Sequence, residues 1–422
     1  MKKLIFLLLP VAIFAQSFLI SNIPVPKTYI QNLDPYPCDE KCLQDFIDHG
    51  MIFSFLAHAE DKLENTKQDE IRMLNISILN LGVNFIKGKI RIALLLPYKT
   101  IGRYAASTTN STFSYLITKN RAFELKSYKI ENENEDEMRK AFAKIQKDGF
   151  NYVIAPLTQK GADILVSLNP KIYIYFPTIN KNDINSESPY FYYGGIDYKA
   201  QSDMLLKEAV SPLVIFYDRS SIGKKLSLYE EQSFKEMSYV DENLTLNIDA
   251  FTDETEEKKT TTVVKFSIPR RTTNLERQLK DNEDIVEGSF FLNTPIVKSG
   301  MIMSQLTLYD LNATNILSTQ INYDPLLLSM TQYNDRKNMI VANSITEQNN
   351  ILIESNALLG NDIVYDWINY TTTVGIDYFF SIITNDLREY NIAIENNQMM
   401  YKIELLQPSF SRFIKYLSTT KE

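Results

Sequence analysis

The chain has 422 residues and a formal net charge of −8, from 44 Lys and Arg against 52 Asp and Glu, which makes nucleic acid an unexpected partner. Hydrophobic residues make up 44% of the sequence and aromatic residues 12%, enough for sizeable cores in two or three domains. The only histidines are His49 and His58, so a Ser-His-Asp or Cys-His arrangement is excluded from the rest of the chain. The sequence contains no glycine-rich loop of the kind that binds phosphate. We expect neither catalytic activity nor a bound cofactor.

Residues 1–17 have the pattern of a secretory signal peptide. Lys2 and Lys3 precede an apolar run from Leu4 to Phe14, and small residues suited to cleavage begin at Ala15. The apolar run is too short to span a membrane. The pattern predicts a periplasmic protein that is exported and soluble after cleavage, with no stable membrane anchor.

Residues 18–88 are expected to form an extended segment and a helical hairpin. Apolar residues recur at helical spacing from Cys42 to Leu63 and again from Glu70 to Phe85, with the polar stretch Glu64 to Asp69 between them. Cys38 and Cys42 are the only cysteines, and in an oxidising compartment this spacing favours a disulfide. A metal site that used both thiols and His49 would be incomplete, so no metal is expected.

Strands and helices alternate from Lys89 to Leu165. Strands are predicted at Ile90 to Leu96, Phe123 to Ile130 and Tyr152 to Ala155. The intervening helix from Glu133 to Lys147 has its apolar residues at helical spacing: Met138, Ala141, Phe142 and Ile145. This alternation predicts βαβ units with a parallel sheet covered on both faces.

The alternation continues beyond this stretch. Further strands are predicted at Lys171 to Phe176, Tyr190 to Tyr193, Leu213 to Tyr217, Thr260 to Ile268, Phe290 to Leu292, Asn315 to Gln320 and Met339 to Ala342. A helix is expected from Ser221 to Met237, and the acidic stretch from Asp241 to Lys259 is expected to be a loop or an irregular strand pair. A long apolar helix from Ile363 to Asn385 precedes a hairpin whose turn is at Asn396-Asn397-Gln398.

Two motifs carry a resemblance to a known family. Ala93 to Pro97 followed by Gly102-Arg103-Tyr104-Ala105, and later Ala155 to Lys160, resemble the type I periplasmic binding-protein fold. Within that fold they are most similar to the binding-protein-like domain of penicillin-binding-protein activator lipoproteins. The resemblance implies an α/β protein with two Rossmann-like lobes: lobe 1 over 89–195, lobe 2 over 196–342, and 343–422 returning to lobe 1 and ending in a hairpin and helix. No cysteine follows the apolar N-terminal run, so the lipid anchor of those proteins is not expected here.

The resemblance places a candidate ligand site in the cleft between the lobes. Proteins of this fold hold small ligands with hydroxyls and backbone amides at helix starts. The candidate residues are Tyr98, Thr158, Gln159, Thr178, Tyr217, Arg219 and Thr319. The alternative is that Thr158 and Thr178 only cap helices.

Several residues depart from the amino-acid receptors of this fold. Their second lobe carries a Tyr-Gly step whose ring covers the ligand, and this chain has Ile222-Gly223 instead. The acidic residue that grips a ligand amine is replaced by Asn293, and bulky residues such as Arg103 and Tyr104 stand where small ones are usual. These departures indicate a degenerate cleft.

Two segments, around Asn243 and Asn312, match the acidic sequon of bacterial periplasmic N-glycosylation. Both asparagines are candidate glycosylation sites in polar segments that we expect to be exposed.

Two functions fit these observations. The first is a non-enzymatic periplasmic scaffold whose protein partners belong to a cell-envelope assembly, either a peptidoglycan synthase or an envelope machine such as a flagellar motor. The second is a receptor that delivers a small amphiphilic ligand to a transporter. The degenerate cleft favours the first, and whether any small molecule binds stays open.

Overall fold

The structure is a computed structural model that describes residues 30–34, 36–79, 81, 86–87, 89–119, 121–248 and 262–417, without the side chains of 86–87 and 238–248. The predicted signal peptide, 1–17, lies outside the described residues, as do 249–259 of the acidic stretch and 260–261 of the predicted strand that follows it. The chain forms two compact units, one comprising Met1–Ile90 with Asn120–Glu124 and the other Arg91–Lys119 with Leu125–Glu422.

The first unit is a small helical cluster closed by a parallel strand pair. Its elements are β1 (Ile30–Gln31), α1 (Glu40–Asp48), α2 (Ile52–His58), α3 (Thr66–Ile78) and β2 (Ile86–Lys87). Leu43, Phe55 and Leu56 are buried in its core. The predicted disulfide between Cys38 and Cys42 is confirmed and lies at the start of α1.

The first predicted helix of this unit is two helices. Gly50 adopts a φ of 69°, a left-handed conformation that ends α1, and α2 begins two residues later. Asp39 caps α1 by accepting a hydrogen bond from the Cys42 amide at 2.9 Å. The hairpin is therefore a three-helix arrangement, because one glycine interrupts an otherwise periodic apolar pattern.

The second unit contains two seven-stranded sheets, which define two lobes. The first sheet has the order β13-β14-β7-β6-β5-β3-β4. Its strands are β3 (Ile90–Pro97), β4 (Phe123–Ile130), β5 (Tyr152–Ile154), β6 (Tyr173–Phe176), β7 (Phe191–Tyr193), β13 (Ala393–Glu395) and β14 (Gln398–Met400). The helices in these parts of the chain are α4 (Tyr98–Ile101), α5 (Tyr104–Ile117), α6 (Glu135–Lys147), α7 (Gln159–Leu168) and a 3-10 helix at Lys181–Asp183.

The second sheet has the order β16-β15-β12-β11-β10-β8-β9. Its strands are β8 (Leu213–Asp218), β9 (Val263–Ile268), β10 (Ser289–Asn293), β11 (Asn315–Ser318), β12 (Met339–Asn343), β15 (Glu404–Pro408) and β16 (Phe413–Lys415). The helices in these parts of the chain are α8 (Tyr198–Leu206), α9 (Ser221–Ile248), α10 (Glu276–Leu279), 3-10 helices at Glu283–Ile285 and Gln320–Asn322, α11 (Ile296–Leu308), α12 (Leu326–Met330) and α13 (Tyr333–Arg336).

The chain passes between the lobes three times. It leaves the first sheet after Tyr193, returns to the first lobe after Asn343 through α14 (Asn350–Leu358) and α15 (Trp367–Thr384), and crosses again between Met400 and Glu404. The predicted α/β fold with two Rossmann-like lobes is confirmed. Most strand pairs are parallel, which gathers the carboxyl ends of the strands at one edge of each sheet.

Packing in the first lobe follows the predicted faces. Met138, Phe142 and Ile145 of α6 are buried, as their helical spacing predicts. Helix α15 approaches the sheet so closely that a Cβ on Gly375 would lie 2.1 Å from the Tyr175 ring. The Tyr175 hydroxyl donates to the Thr371 carbonyl at 2.8 Å, which satisfies the buried hydroxyl.

The structure corrects one predicted segment, the acidic stretch, and confirms another, the C-terminal hairpin. Helix α9 extends to Ile248, so Asp241 to Ile248 is helical and not a loop, because no proline or glycine follows Gly223 before that point to stop the helix. The predicted hairpin is confirmed, since Asn396 and Asn397 adopt φ values of 48° and 66° between the antiparallel strands β13 and β14. None of the helices within the described ranges is long and apolar enough to cross a membrane.

Candidate functional site: the interlobe cleft

The predicted cleft residues lie at the carboxyl ends of parallel strands. Tyr98, Thr158 and Thr178 follow β3, β5 and β6 of the first lobe. In the second lobe, Tyr217 is the last residue but one of β8, and Thr319 follows β11. An ion pair between Asp183 of the first lobe and Lys225 of the second joins the two edges. The cleft edges therefore meet where the strand ends of both lobes gather.

The helix start at Thr158 is occupied by a carboxylate from the chain itself. The Thr158 amide donates to Glu133 Oε1 at 2.7 Å, and the Thr158 hydroxyl donates to Glu133 Oε2. Thr158 also caps α7, since its Oγ1 accepts from the Gly161 amide at 3.4 Å. Glu133 is only 7% exposed. Its carboxylate thus takes the place at a helix start where an anionic ligand group would bind.

The fit between Glu133 and α7 depends on a glycine. A Cβ on Gly161 would lie 2.5 Å from the Glu133 Cδ, so a larger residue at 161 would displace the carboxylate. Glu133 was not among the residues predicted for the site. The sequence signal that could have indicated this contact is a capping threonine, Thr158, followed three residues later by a glycine, Gly161. A glycine at that position leaves room for a hydrogen-bond acceptor at the helix start.

The other first-lobe candidates are also engaged within the lobe. The Thr178 hydroxyl donates to the Leu157 carbonyl at 2.5 Å. The side-chain amide of Gln159 donates to the backbone carbonyl of Asp183 at 2.8 Å. The Tyr98 hydroxyl donates to the Glu131 carboxylate at 3.4 Å, and Tyr98 is 41% exposed. All four predicted first-lobe side chains hence have partners in the protein.

The second-lobe candidates are less engaged. Tyr217 is half-buried and Arg219 is exposed, and neither side chain has a hydrogen bond within the described part of the chain. Thr319 is fully buried, and its hydroxyl finds no partner among the described residues. Polar side chains without a hydrogen-bond partner among the described residues therefore remain on the second-lobe side of the cleft.

Arg103 brings a positive charge into the cleft region. A hydrogen bond with Tyr104 raises the pKa of the Arg103 guanidinium, and the carboxylates of Asp366 and Asp324 raise it further. Asp366 caps α15 of the first lobe, whereas Asp324 follows β11 of the second. The charge of Arg103 is thus favoured by nearby carboxylates of both lobes.

A buried carboxyl group lies behind the second-lobe edge. Glu230 of α9 is fully buried, and it accepts hydrogen bonds from Asn293 at 2.5 Å and from Ser202 at 3.1 Å. Burial raises the pKa of Glu230 well above its ordinary value, and the hydrogen bonds from Asn293 and Ser202 oppose that shift only in part. Asn293 is thus a partner of this buried acid.

Outside these contacts the polar groups of the second lobe form a network of neutral amides. Gln201 donates to Ser344 at 2.7 Å, and Gln320 donates to Asn343 at 3.0 Å. The Ser344 amide donates back to Gln320 at 2.6 Å. This network holds the strand end of β12 beside the second crossing.

The candidate glycosylation sites lie in different settings. Asn312 is exposed in the turn before β11. Asn243 lies in the last part of α9, where side chains are not described. No group of three His, Cys, Asp or Glu side chains suited to a metal ion occurs among the described residues.

Comparison with solved structures identifies the fold. No family model matches the sequence, and no curated protein matches it. A putative branched-chain amino acid ABC transporter protein from Rhodospirillum rubrum is 10% identical, with a TM-score of 0.57, covering 78% of this chain and 100% of its own. A leucine binding protein, LivK, from Thermotoga maritima is 12% identical, with a TM-score of 0.52, covering 78% and 98%.

LpoA from Haemophilus influenzae also matches, at 11% identity and a TM-score of 0.49, over 90% of this chain and 72% of its own. Identities of 10–12% bear on architecture and not on ligand or partner. Together with the two mostly parallel sheets and the three crossings, the similarity to the Rhodospirillum rubrum and Thermotoga maritima proteins establishes that this chain has the type I periplasmic binding-protein fold.

Proposed function

We propose that the protein is an exported, non-enzymatic component of the cell envelope whose binding-protein fold serves as a docking module for another protein. The observation that carries the proposal is the Glu133 carboxylate at the start of α7. A small ligand with a carboxylate would have to displace a charge that already satisfies both Thr158 donors.

The sequence resemblance suggests the first of two partner classes. We propose a peptidoglycan synthase, which the protein would regulate, or an envelope machine such as a flagellar motor. The signal-like residues 1–17 support export. Intact-mass measurement of protein from envelope extracts tests export, and a retained Met1 would contradict it. The same measurement detects sugar on Asn312, with Asn312→Gln as the control.

The docking proposal is tested by crosslinking tagged protein in native envelopes and identifying the bound proteins. The expected result is one envelope protein that is recovered again when the tag is moved to it. Thr158→Ala and Thr178→Ala should retain this partner, because the proposed docking does not use the cleft hydroxyls. Loss of the partner in both variants, in correctly folded protein, would contradict the proposal.

A second candidate function is supported by the second-lobe edge. Tyr217 and Arg219 have no hydrogen-bond partner within the described ranges, and the buried Thr319 hydroxyl is unpaired. A solute receptor would use these groups with Tyr98, Thr158, Gln159 and Thr178 to hold a small amphiphilic ligand. Calorimetry with amino acids, short peptides and cell-wall fragments tests this. Micromolar binding that is lost in Thr158→Ala or Thr178→Ala would establish the receptor and displace the docking proposal.

A further inference from the structure

A cavity of about 680 Å³ lies beside the three chain crossings. Gly195 and Asp197 of the first crossing line it, as do Ser344 of the second and Tyr401 and Ile403 of the third. Its volume is within the range of about 300–1,000 Å³ that small-molecule sites occupy. Because all three crossings contribute, the shape of this hinge pocket depends on the angle between the lobes.

The walls of the hinge pocket are rich in carboxamides. Asn180 and Gln398 are almost fully buried, and both donate to the Gly195 carbonyl, at 3.1 and 3.3 Å. Gln398 also accepts from the Lys181 amide at 2.8 Å. These bonds fix the wall, and the neighbouring Asn182 and Asn396 contribute exposed carboxamides at its rim. Carboxamides supply donors and acceptors side by side.

The charges of the hinge pocket disfavour anions. Three carboxylates line it, those of Glu187, Asp197 and Glu395, against the single ammonium of Lys181. The helix start within the pocket is that of α8, and Asp197 already caps it by accepting from the Ala200 amide at 3.0 Å. The positive end of the helix dipole is therefore compensated by a fixed negative charge.

We propose that the hinge pocket binds a small saccharide, neutral or carrying an amino group, and that its occupancy sets the angle between the lobes. Neighbouring hydroxyls of a sugar both donate and accept, which matches the exposed carboxamides of Asn182 and Asn396 and the carboxylates of Glu187 and Glu395. Met400, which is 45% exposed, and the partly exposed Tyr401 also line the pocket and supply an apolar wall for the C–H face of the sugar.

The coupling to the lobes runs through the short 3-10 helix at Lys181–Asp183. Lys181 and Asn182 line the pocket, while Asp183 makes the ion pair with Lys225 of the other lobe. The Asp183 carbonyl also accepts from Gln159 at the cleft edge, at 2.8 Å. A ligand that moves this 3-10 helix therefore changes its contacts with Gln159 of the first lobe and with Lys225 of the second. None of the seven predicted cleft residues lines the hinge pocket, so the inference stands independently of the proposed docking function.

The proposed binding of a sugar is tested by calorimetry on the full chain with glucosamine, N-acetylglucosamine, diacetylchitobiose and glucuronic acid. We expect at least one neutral or amino sugar to bind, with glucuronic acid at least about tenfold weaker. Asn182→Ala and Glu395→Gln should each weaken binding by about tenfold. Asn334→Ala, an exposed asparagine outside the pocket, is the matched control and should bind as the parent does. No binding at millimolar sugar, tightest binding of glucuronic acid, or unchanged binding in both pocket variants would overturn the proposal.

The proposed control of the lobe angle is tested by measuring the distance between two spin labels, at Lys140→Cys in α6 and at Arg277→Cys in α10. Both positions are exposed, and they lie in different lobes. Saturating sugar should shift the distance distribution. Lys225→Ala should still bind sugar and show a smaller shift, because the link from Asp183 to the second lobe is cut. Binding with no shift in the parent protein would refute control of the hinge. Partner capture in native envelopes is a separate measurement, so failure of one proposal does not decide the other.

Discussion

At the cleft edge of the first lobe, the strand-end hydroxyls are bound by the protein itself, through the Glu133 carboxylate at Thr158 and the Leu157 carbonyl at Thr178. At the facing edge of the second lobe, a network of neutral amides lies beside a fully buried hydroxyl, that of Thr319, which has no partner among the described residues. The two lobes share a topology but differ at these two helix starts, because the Thr158 hydroxyl is paired and the Thr319 hydroxyl is not paired among the described residues.

Under the proposed docking function, this difference is how a binding fold would lose a ligand site without losing its architecture. One buried carboxylate reproduces what a ligand anion does at a helix start, so the first lobe is stable when empty. The second lobe has no such internal substitute at Thr319 and carries the cost of an unpaired group. Stability measurements on matched substitutions in the two edges can separate these cases.

The largest effect is expected for Glu133→Ala. Removing the carboxylate leaves the Thr158 amide and hydroxyl without their acceptor in a nearly buried place, which should lower the free energy of unfolding by roughly 2–4 kcal/mol. Urea unfolding followed by circular dichroism measures the change. Asp136→Ala, an exposed acid at the start of α6, is the control and should cost less than about 1 kcal/mol. Equal losses in both variants would show that Glu133 has no special part in the first-lobe edge.

Gly161→Ala should have the next largest effect. The new methyl group would meet the Glu133 carboxylate, and overpacking of this kind costs roughly 1–3 kcal/mol. In the double variant with Glu133→Ala that clash is gone, so the two losses should not add. A double-mutant cycle by chemical denaturation measures the coupling. Strict additivity would mean that the glycine is needed for another reason.

Substituting valine at Thr158 and at Thr319 tests the two edges directly. Thr158→Val removes a helix cap and a hydrogen bond to a carboxylate, so it should destabilise by roughly 1–2 kcal/mol. Thr319→Val removes a buried unpaired hydroxyl, so it should leave stability unchanged or raise it by up to about 1 kcal/mol. Thermal unfolding of both variants gives the signs. Destabilisation of similar size at both positions would erase the contrast between the lobes.

The smallest effect concerns the buried acid of the second lobe and depends on pH. Burial raises the pKa of Glu230, so above the pKa of an unfolded glutamate, about 4.3, the folded protein holds a proton that the unfolded chain releases. This contribution to stability therefore falls as pH rises until the raised pKa is passed. Glu230→Gln should be more stable than the parent at pH 8, by about 1 kcal/mol, and the advantage should shrink towards pH 5. Glu236→Gln, exposed on the same helix, should show no such trend, and a pH-independent difference at Glu230 would contradict the buried-acid account.

Local patterns in the sequence determined the architecture. Runs of apolar residues predicted the strands, the spacing of Met138, Phe142 and Ile145 predicted a buried helix face, and two adjacent asparagines predicted the hairpin turn. The disulfide also followed from two cysteines four residues apart. Such signals are carried by neighbouring residues, so no knowledge of distant contacts is needed.

Only the tertiary structure decided how the polar groups of the cleft are satisfied. Glu133 and Thr158 lie 25 residues apart, and Glu230 and Asn293 lie 63 apart. Nothing in the local sequence distinguishes Glu133 from the acidic residues around it, or Glu230 from Glu231 beside it. Their roles arise because strand order and helix packing bring one carboxylate to a helix start and exclude water from another. A hydrogen bond between distant residues is set by the whole fold, whereas the pattern that predicts a strand is set by the strand itself.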